Sequence, residues 1–236
     1  MRAAKEQDPE NLYLAALYLL QLAKKGEKIE NEARELGGQI LRHPVSSYSG
    51  IKPLLRLYIK YISVDEAIDL AEKALEKHPD ERYLKRCVAL CYKWKMLFFT
   101  DSHPRSGMEE RAIRMHREVI SFYSYSFLME IDLAIVYAKA SGGKAKAEQK
   151  YQNLLRSNLE PAEKQVLYNQ FARHLHFDKQ DINGSIEFYM RAATIPEKTL
   201  FRNDSIKALK KINNTTWNRR SKDIEEFLLE KSVSTR

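Results

Sequence analysis

Five times along this chain a small or compact residue is followed, four and seven positions later, by others able to pack against one neighbour. The triplets are Ala33-Gly37-Ile40, Ala67-Ala71-Ala74, Ala112-His116-Val119, Ala147-Tyr151-Leu154 and Ser185-Tyr189-Ala192. Positions i, i+4 and i+7 share one face of an α-helix, so each triplet marks a helix with a narrow contact stripe. Their leading positions, 33, 67, 112, 147 and 185, stand 34, 45, 35 and 38 residues apart. A near-constant interval means that one supersecondary unit recurs, and a unit with a single small-residue stripe is completed only by stacking on its neighbours.

The remaining periodicity is helical too. Leu14, Leu17 and Tyr18 recur at helical spacing, as do Leu54, Leu57, Tyr58 and Tyr61, and Leu128, Ile131 and Ile135. No stretch alternates like a strand; the Tyr-rich run from Ser121 to Tyr125 reads as a corner between helices. The tetratricopeptide unit, a helix pair, repeats at about 34 residues, and the long interval fits once about 11 residues are inserted near 98–108. Companion first helices show a small residue three before Tyr, in Ala89…Tyr92 and Ala134…Tyr137, with Leu55…Tyr58 a looser match. Pro44, Pro79, Pro161 and Pro196 punctuate the repeats, because proline ends one helix and fits the first turn of the next. The expected architecture is all-α, a right-handed tetratricopeptide-repeat superhelix of antiparallel helix pairs. About five repeats fill residues 10–196, namely 10–44, 46–79, 80–123, 125–158 and 160–196. Residues 197–236 supply capping helices, near 198–212 and 217–232, and a tail. Residues 1–9 read as the end of a second helix whose first helix is missing, so the pattern expects a further repeat upstream.

Composition narrows the function. The chain of 236 residues is 44% apolar and 31% charged, enough for a core, and it carries 40 Lys and Arg against 32 Asp and Glu, a net charge of +8. A polyanionic partner is compatible with that excess. With eight glycines there is no glycine-cradled nucleotide loop, and no Walker, His-Glu-x-x-His, Gly-x-Ser-x-Gly or Cys-x-x-Cys motif occurs. Cys87 and Cys91 share a helix face without a second ligand pair, and His174 and His176 fall on different faces. No enzyme activity, metal, cofactor or membrane span is expected.

In a tetratricopeptide register the first helices line the concave surface. Lys52, Arg56 and Lys60 fall there in the second repeat, Tyr83, Arg86 and Lys93 in the third, and Asn169, Arg173 and His176 in the fifth. The fourth offers the apolar Leu128, Ile131 and Ile135 instead. Converging cations suit phosphate groups. Two other readings stay open: ordinary solvated helix charge, and a carboxylate clamp for acidic peptides, for which Asn169 is the one asparagine in place.

Several segments together resemble a known family: Pro9-Glu10-Asn11-Leu12-Tyr13, Ser63-Val64-Asp65-Glu66-Ala67, Leu90-Cys91-Tyr92 before the insertion, Leu133-Ala134-x-x-Tyr137, Lys146-Ala147-Glu148, Asp204-Ser205-Ile206 and Leu209-Lys210-Lys211. From about residue 2 to 212 the chain resembles the C-terminal portion of the interferon-induced proteins with tetratricopeptide repeats; residues 213–236 diverge. The resemblance implies a cytoplasmic antiviral effector that holds single-stranded RNA by its 5′ end, a triphosphate or under-methylated cap, in a basic tunnel, and that assembles with itself or with other members. It puts Tyr13, Lys52 and Arg56 where the family has an aromatic and two cations on RNA. Where members carry His or Gln this chain has Arg86 and Cys87, and Ile59 replaces a basic residue beside Lys60. Tyr13 or Tyr83 would stack a base, and Lys210, Lys211, Arg219 and Arg220 either track the RNA backbone or are solvated cap charge. Without the family's N-terminal repeats, weak and salt-sensitive RNA binding is expected of this length of chain. The alternative is a protein-interaction scaffold in innate immune signalling.

Overall fold

The computed structural model describes residues 12–42, 50–98, 106–123, 126–197, 199–215 and 221–233. Among them all regular structure is helical. In chain order the helices are α1 (Leu12–Lys24), α2 (Glu30–Arg42), α3 (Ile51–Tyr61), α4 (Val64–Lys77), α5 (Arg82–Phe98), α6 (Ser106–Ser121), α7 (Phe127–Lys139), α8 (Lys144–Leu155), α9 (Pro161–Arg173), α10 (Ile182–Thr194), α11 (Leu200–Thr215) and α12 (Ser221–Val233), with a π-helical turn at His174–Asp178. The all-α expectation holds. The chain divides into two compact units, residues 1–125 and 126–236. The expectations for residues 1–9, for Pro44 and for most of the insertion lie outside the described residues.

Within each unit the small-residue stripe lies buried. Ala33, Ala67, Ala112, Ala147 and Ser185, which lead the five triplets, are all fully buried. The second and third members are buried as well, apart from Leu154, which is partly so. At Gly37 a Cβ would meet the Leu70 side chain and the Tyr58 hydroxyl at 3.4 Å, an ordinary contact distance. On the companion helices Leu55, Tyr58, Ala89, Tyr92, Ala134 and Tyr137 are buried too.

In the first unit, α1 packs on α2 and α3, α3 on α4 and α5, α4 on α5, and α5 on α6. Local signals set the helix starts. The Ser63 hydroxyl accepts the Asp65 and Glu66 backbone N–H groups at 3.2 and 3.4 Å, capping α4 with acids in its first turn. Gly50 begins α3 directly against α1, where a Cβ would lie 2.9 Å from the Leu12 carbonyl carbon and oxygen. That contact seats the start of α3 against the first turn of α1.

In the second unit Tyr151 and Phe171 stack at 5.2 Å, and Phe188 meets Phe171 edge-on at 4.7 Å. Around the first two gather Phe127, Ile131, Ala134, Leu167 and Leu175. Ile131 and its neighbour Ile135 therefore belong to the core and do not line a groove, contrary to the register; of that trio only Leu128 is exposed. Asn169 is likewise buried. Its amide donates to the Ser205 hydroxyl at 2.8 Å and the Phe201 carbonyl at 3.3 Å, tying α9 to α11, so no carboxylate clamp rests on it. Pro161 occupies the first turn of α9 inside a reciprocal Glu160/Glu163 capping box, as proline geometry predicts. Pro79 and Pro196 follow the ends of α4 and α10. The last helix is held by Ile224, buried with Leu209 and Ile212.

Candidate functional site

Within the first unit a cavity of about 630 Å³ runs along α1, α3 and α5. Lys52, Arg56 and Lys60 enter it from α3, Lys24 from the last turn of α1 and Lys93 from α5. The three α3 cations are spaced four residues apart, so they stand on one helix face about 6 Å from turn to turn. Leu20, Leu55, Ile59 and Leu90 form an apolar wall, Trp94 and Phe98 two aromatic surfaces, and Cys87 and Cys91 two thiols. No acidic residue is among the lining side chains.

Several cations elsewhere in the unit are held by acids. Arg34 binds Glu66 at 2.9 Å, Lys85 binds Glu118, Lys95 binds Asp65 and Arg111 binds Glu72, each of the last three at 2.6 Å. Among the described residues Lys24, Lys52, Arg56 and Lys60 form no ion pair. Their charges point into a concavity whose apolar wall weakens screening.

Tyr13, Tyr83 and Arg86 do not line the cavity but are coupled to it through Cys87. The Tyr83 hydroxyl lies near the Cys87 sulfur, and Tyr13 and Arg86 lie within electrostatic range of Tyr83. Burial, with smaller additions from Cys87 and Tyr13, pushes the Tyr83 hydroxyl well above the usual tyrosine range. Burial also pushes the Cys87 thiol up to about 12, against the opposing pull of Tyr83, Lys52 and Arg86. A thiol held neutral in this way is a packing group and hydrogen-bond partner, and a poor nucleophile at neutral pH. Tyr13 is exposed.

The sequence register found Lys52, Arg56, Lys60 and Lys93, and it missed Lys24, Trp94 and Phe98. Arg173 is exposed and His176 partly buried in the second unit, away from any described cavity; Lys210 and Lys211 are exposed on α11, and Arg219 and Arg220 lie outside the described residues. No group of three or more His, Cys, Asp or Glu that could hold a metal occurs among the described residues, and none of their helices is long and apolar enough to cross a membrane.

No family model matches the chain. Individual proteins do. It is 28% identical over 242 residues to the human antiviral innate immune response effector IFIT1, covering 97% of this chain and 50% of that protein. The mouse interferon-induced protein with tetratricopeptide repeats 2 is 26% identical over 212 residues, 85% of this chain and 44% of that protein. The chain thus spans about half the length of the curated relatives it matches. Solved structures agree: a human IFIT1 dimer with PPP-AAAA superposes with a TM-score of 0.70 at 26% identity, over 96% of this chain and 52% of that one. A monomeric IFIT1 mutant with Gppp-AAAA gives a TM-score of 0.67 at 28% identity, over 90% of this chain and 48% of that one. The helix pairs, their seam and these likenesses agree with the resemblance carried by the sequence motifs: the chain is related, along nearly its whole length, to the interferon-induced proteins with tetratricopeptide repeats.

Proposed function

We propose that this chain forms the C-terminal portion of a cytoplasmic antiviral effector and holds single-stranded RNA, near its 5′ end, in the groove of its first unit. The observation that carries the proposal is the cluster Lys24, Lys52, Arg56 and Lys60, which form no ion pair among the described residues and face one cavity with no acidic lining. Phosphate oxygens would give these cations the partners they lack, and phosphate contacts supply affinity without sequence preference. Tyr13, Tyr83 and Arg86 would extend the site beside Cys87. The relatives solved with PPP-AAAA and Gppp-AAAA supply the ligand class. The dimeric relative makes self-assembly part of the same proposal. Residues 10–196 serve as five repeats, with 197–236 as the cap, and the activity is binding rather than catalysis.

The test is electrophoretic mobility of 5′-triphosphate, capped and 5′-hydroxyl RNA with the parent protein and with Lys52→Glu and Arg56→Glu. Both substitutions should abolish the shift. If both variants retain it, the groove does not hold RNA, and the apolar wall becomes the better guide, pointing to a protein-interaction scaffold.

A further inference from the structure

At the end of α5 the groove changes character. Trp94 and Phe98, one helical turn apart, stack with ring centroids 5.6 Å apart and planes 23° from parallel. Both line the cavity that Lys24, Lys60 and Lys93 also enter, and they remain 38% and 57% exposed. The Lys93 ammonium lies 5.5 Å from the centre of the Trp94 ring. Most large apolar side chains of the first unit are withdrawn into its seam, so two neighbouring rings left in water beside cations call for a ligand. Side-by-side rings in an i, i+4 pair steady a helix only slightly. That gain does not require the rings to face a basic cavity.

We infer that Trp94 and Phe98 are a stacking platform for a base of the strand whose phosphates the groove cations hold. The inference rests on the proposed RNA reading and adds a second kind of contact to it. Flat aromatic area next to ammonium groups matches a nucleotide, with a π-face and an anion a few ångströms apart, better than it matches an acidic peptide or a bare phosphate. Every base has a π-face, so the platform favours nucleobases in general and selects no sequence.

The experiment compares two strands of equal length and charge, an oligoadenylate and an abasic ribose-phosphate strand, by fluorescence anisotropy. Trp94→Ala and Phe98→Ala should each weaken the oligoadenylate by about 5-fold or more and the abasic strand by less than about 2-fold. Trp94→Phe should recover most of the loss. In a Trp217→Phe background, Trp94 emission should be quenched by the oligoadenylate and not by the abasic strand. Equal losses on both strands, or no loss on the oligoadenylate, overturn the platform while Lys52→Glu still weakens both strands. If Lys52→Glu leaves both strands bound as tightly as the parent does, the groove reading falls and the platform with it.

Discussion

The salt dependence of RNA binding can be worked from the groove. Four cations, Lys24, Lys52, Arg56 and Lys60, face the cavity without ion pairs among the described residues. If each displaces a counterion from a single strand, log K falls against log salt with a slope of about −0.7 per contact, or about −2.8 in total. Raising salt from about 50 to 200 mM should therefore weaken binding about 50-fold. Replacing Lys52 and Arg56 together by Ala leaves two contacts, a slope near −1.4 and a loss of only about 7-fold over the same range. Lys73→Ala is the matched control, because Lys73 already pairs with Asp69 at 2.7 Å on an exposed face. Its slope should equal that of the parent. Anisotropy of a labelled 5′-triphosphate strand, titrated at four or more salt concentrations, reads all three slopes. A parent slope flatter than about −1, or a double variant with the parent's slope, refutes the claim that these side chains meet phosphates.

Other substitutions probe the frame behind the site. Gly50→Ala should destabilise the first unit by about 1–3 kcal/mol in urea unfolding, since the new Cβ meets Leu12 backbone that cannot swing aside; a change below about 0.5 kcal/mol would show that α3 starts elsewhere. The Gln165 amide reaches the Ala192, Ile195 and Glu197 carbonyls, each at 3.1 Å, at the end of α10. Gln165→Leu strands those acceptors and should cost about 1–3 kcal/mol by the same assay. Burial acts to raise the Asp178 pKa, but hydrogen bonds and charge from His174 and Lys139 outweigh it and hold the carboxyl below its ordinary range. A carboxyl depressed in the folded state adds stability above its unfolded pKa and loses it as pH falls through the folded value. Asp178→Asn should thus be less stable than the parent at pH 7, and the difference should shrink steadily below about pH 4. A difference that persists unchanged at pH 2 would assign the loss to packing.

The frame was legible because close packing restricts residue size at fixed intervals. The five small-residue triplets could be read without any knowledge of the turns between them, and all five lead positions are buried. The α3 part of the groove was legible for a similar reason: Lys52, Arg56 and Lys60 alternate with buried Ile51, Leu54, Leu55, Leu57 and Tyr58, so their face follows from helical period alone. Lys24 was not legible, because only the crossing of α1 on α3 brings the last turn of α1 to the cavity. Trp94 carries no mark in the sequence and Phe98 falls at the edge of the expected insertion, and periodicity does not report which apolar residues stay uncovered. Asn169 misled for the opposite reason: a polar residue on a first helix suggests exposure, and its burial depends on Ser205, 36 residues on. The turn at His174–Asp178 has no compositional mark; it forms where the Lys179 N–H reaches the His174 carbonyl and the Asp181 N–H the Leu175 carbonyl.

The charges of α5 divide between its packed side and its cavity side. Lys85 and Lys95 turn toward neighbouring helices and are matched by Glu118 and Asp65. Arg86 forms no ion pair among the described residues and stands beside the Tyr83–Cys87 contact, next to the groove. On this one helix, then, Lys85 and Lys95 meet acids on neighbouring helices, while Lys93 enters a cavity with no acidic lining. Holding Lys24, Lys52, Arg56 and Lys60 around one apolar-walled cavity costs mutual repulsion, and the low-dielectric wall makes that repulsion stronger. A polyanion entering the cavity converts the repulsion into attraction, and the gain is largest where the strand's negative charge is densest.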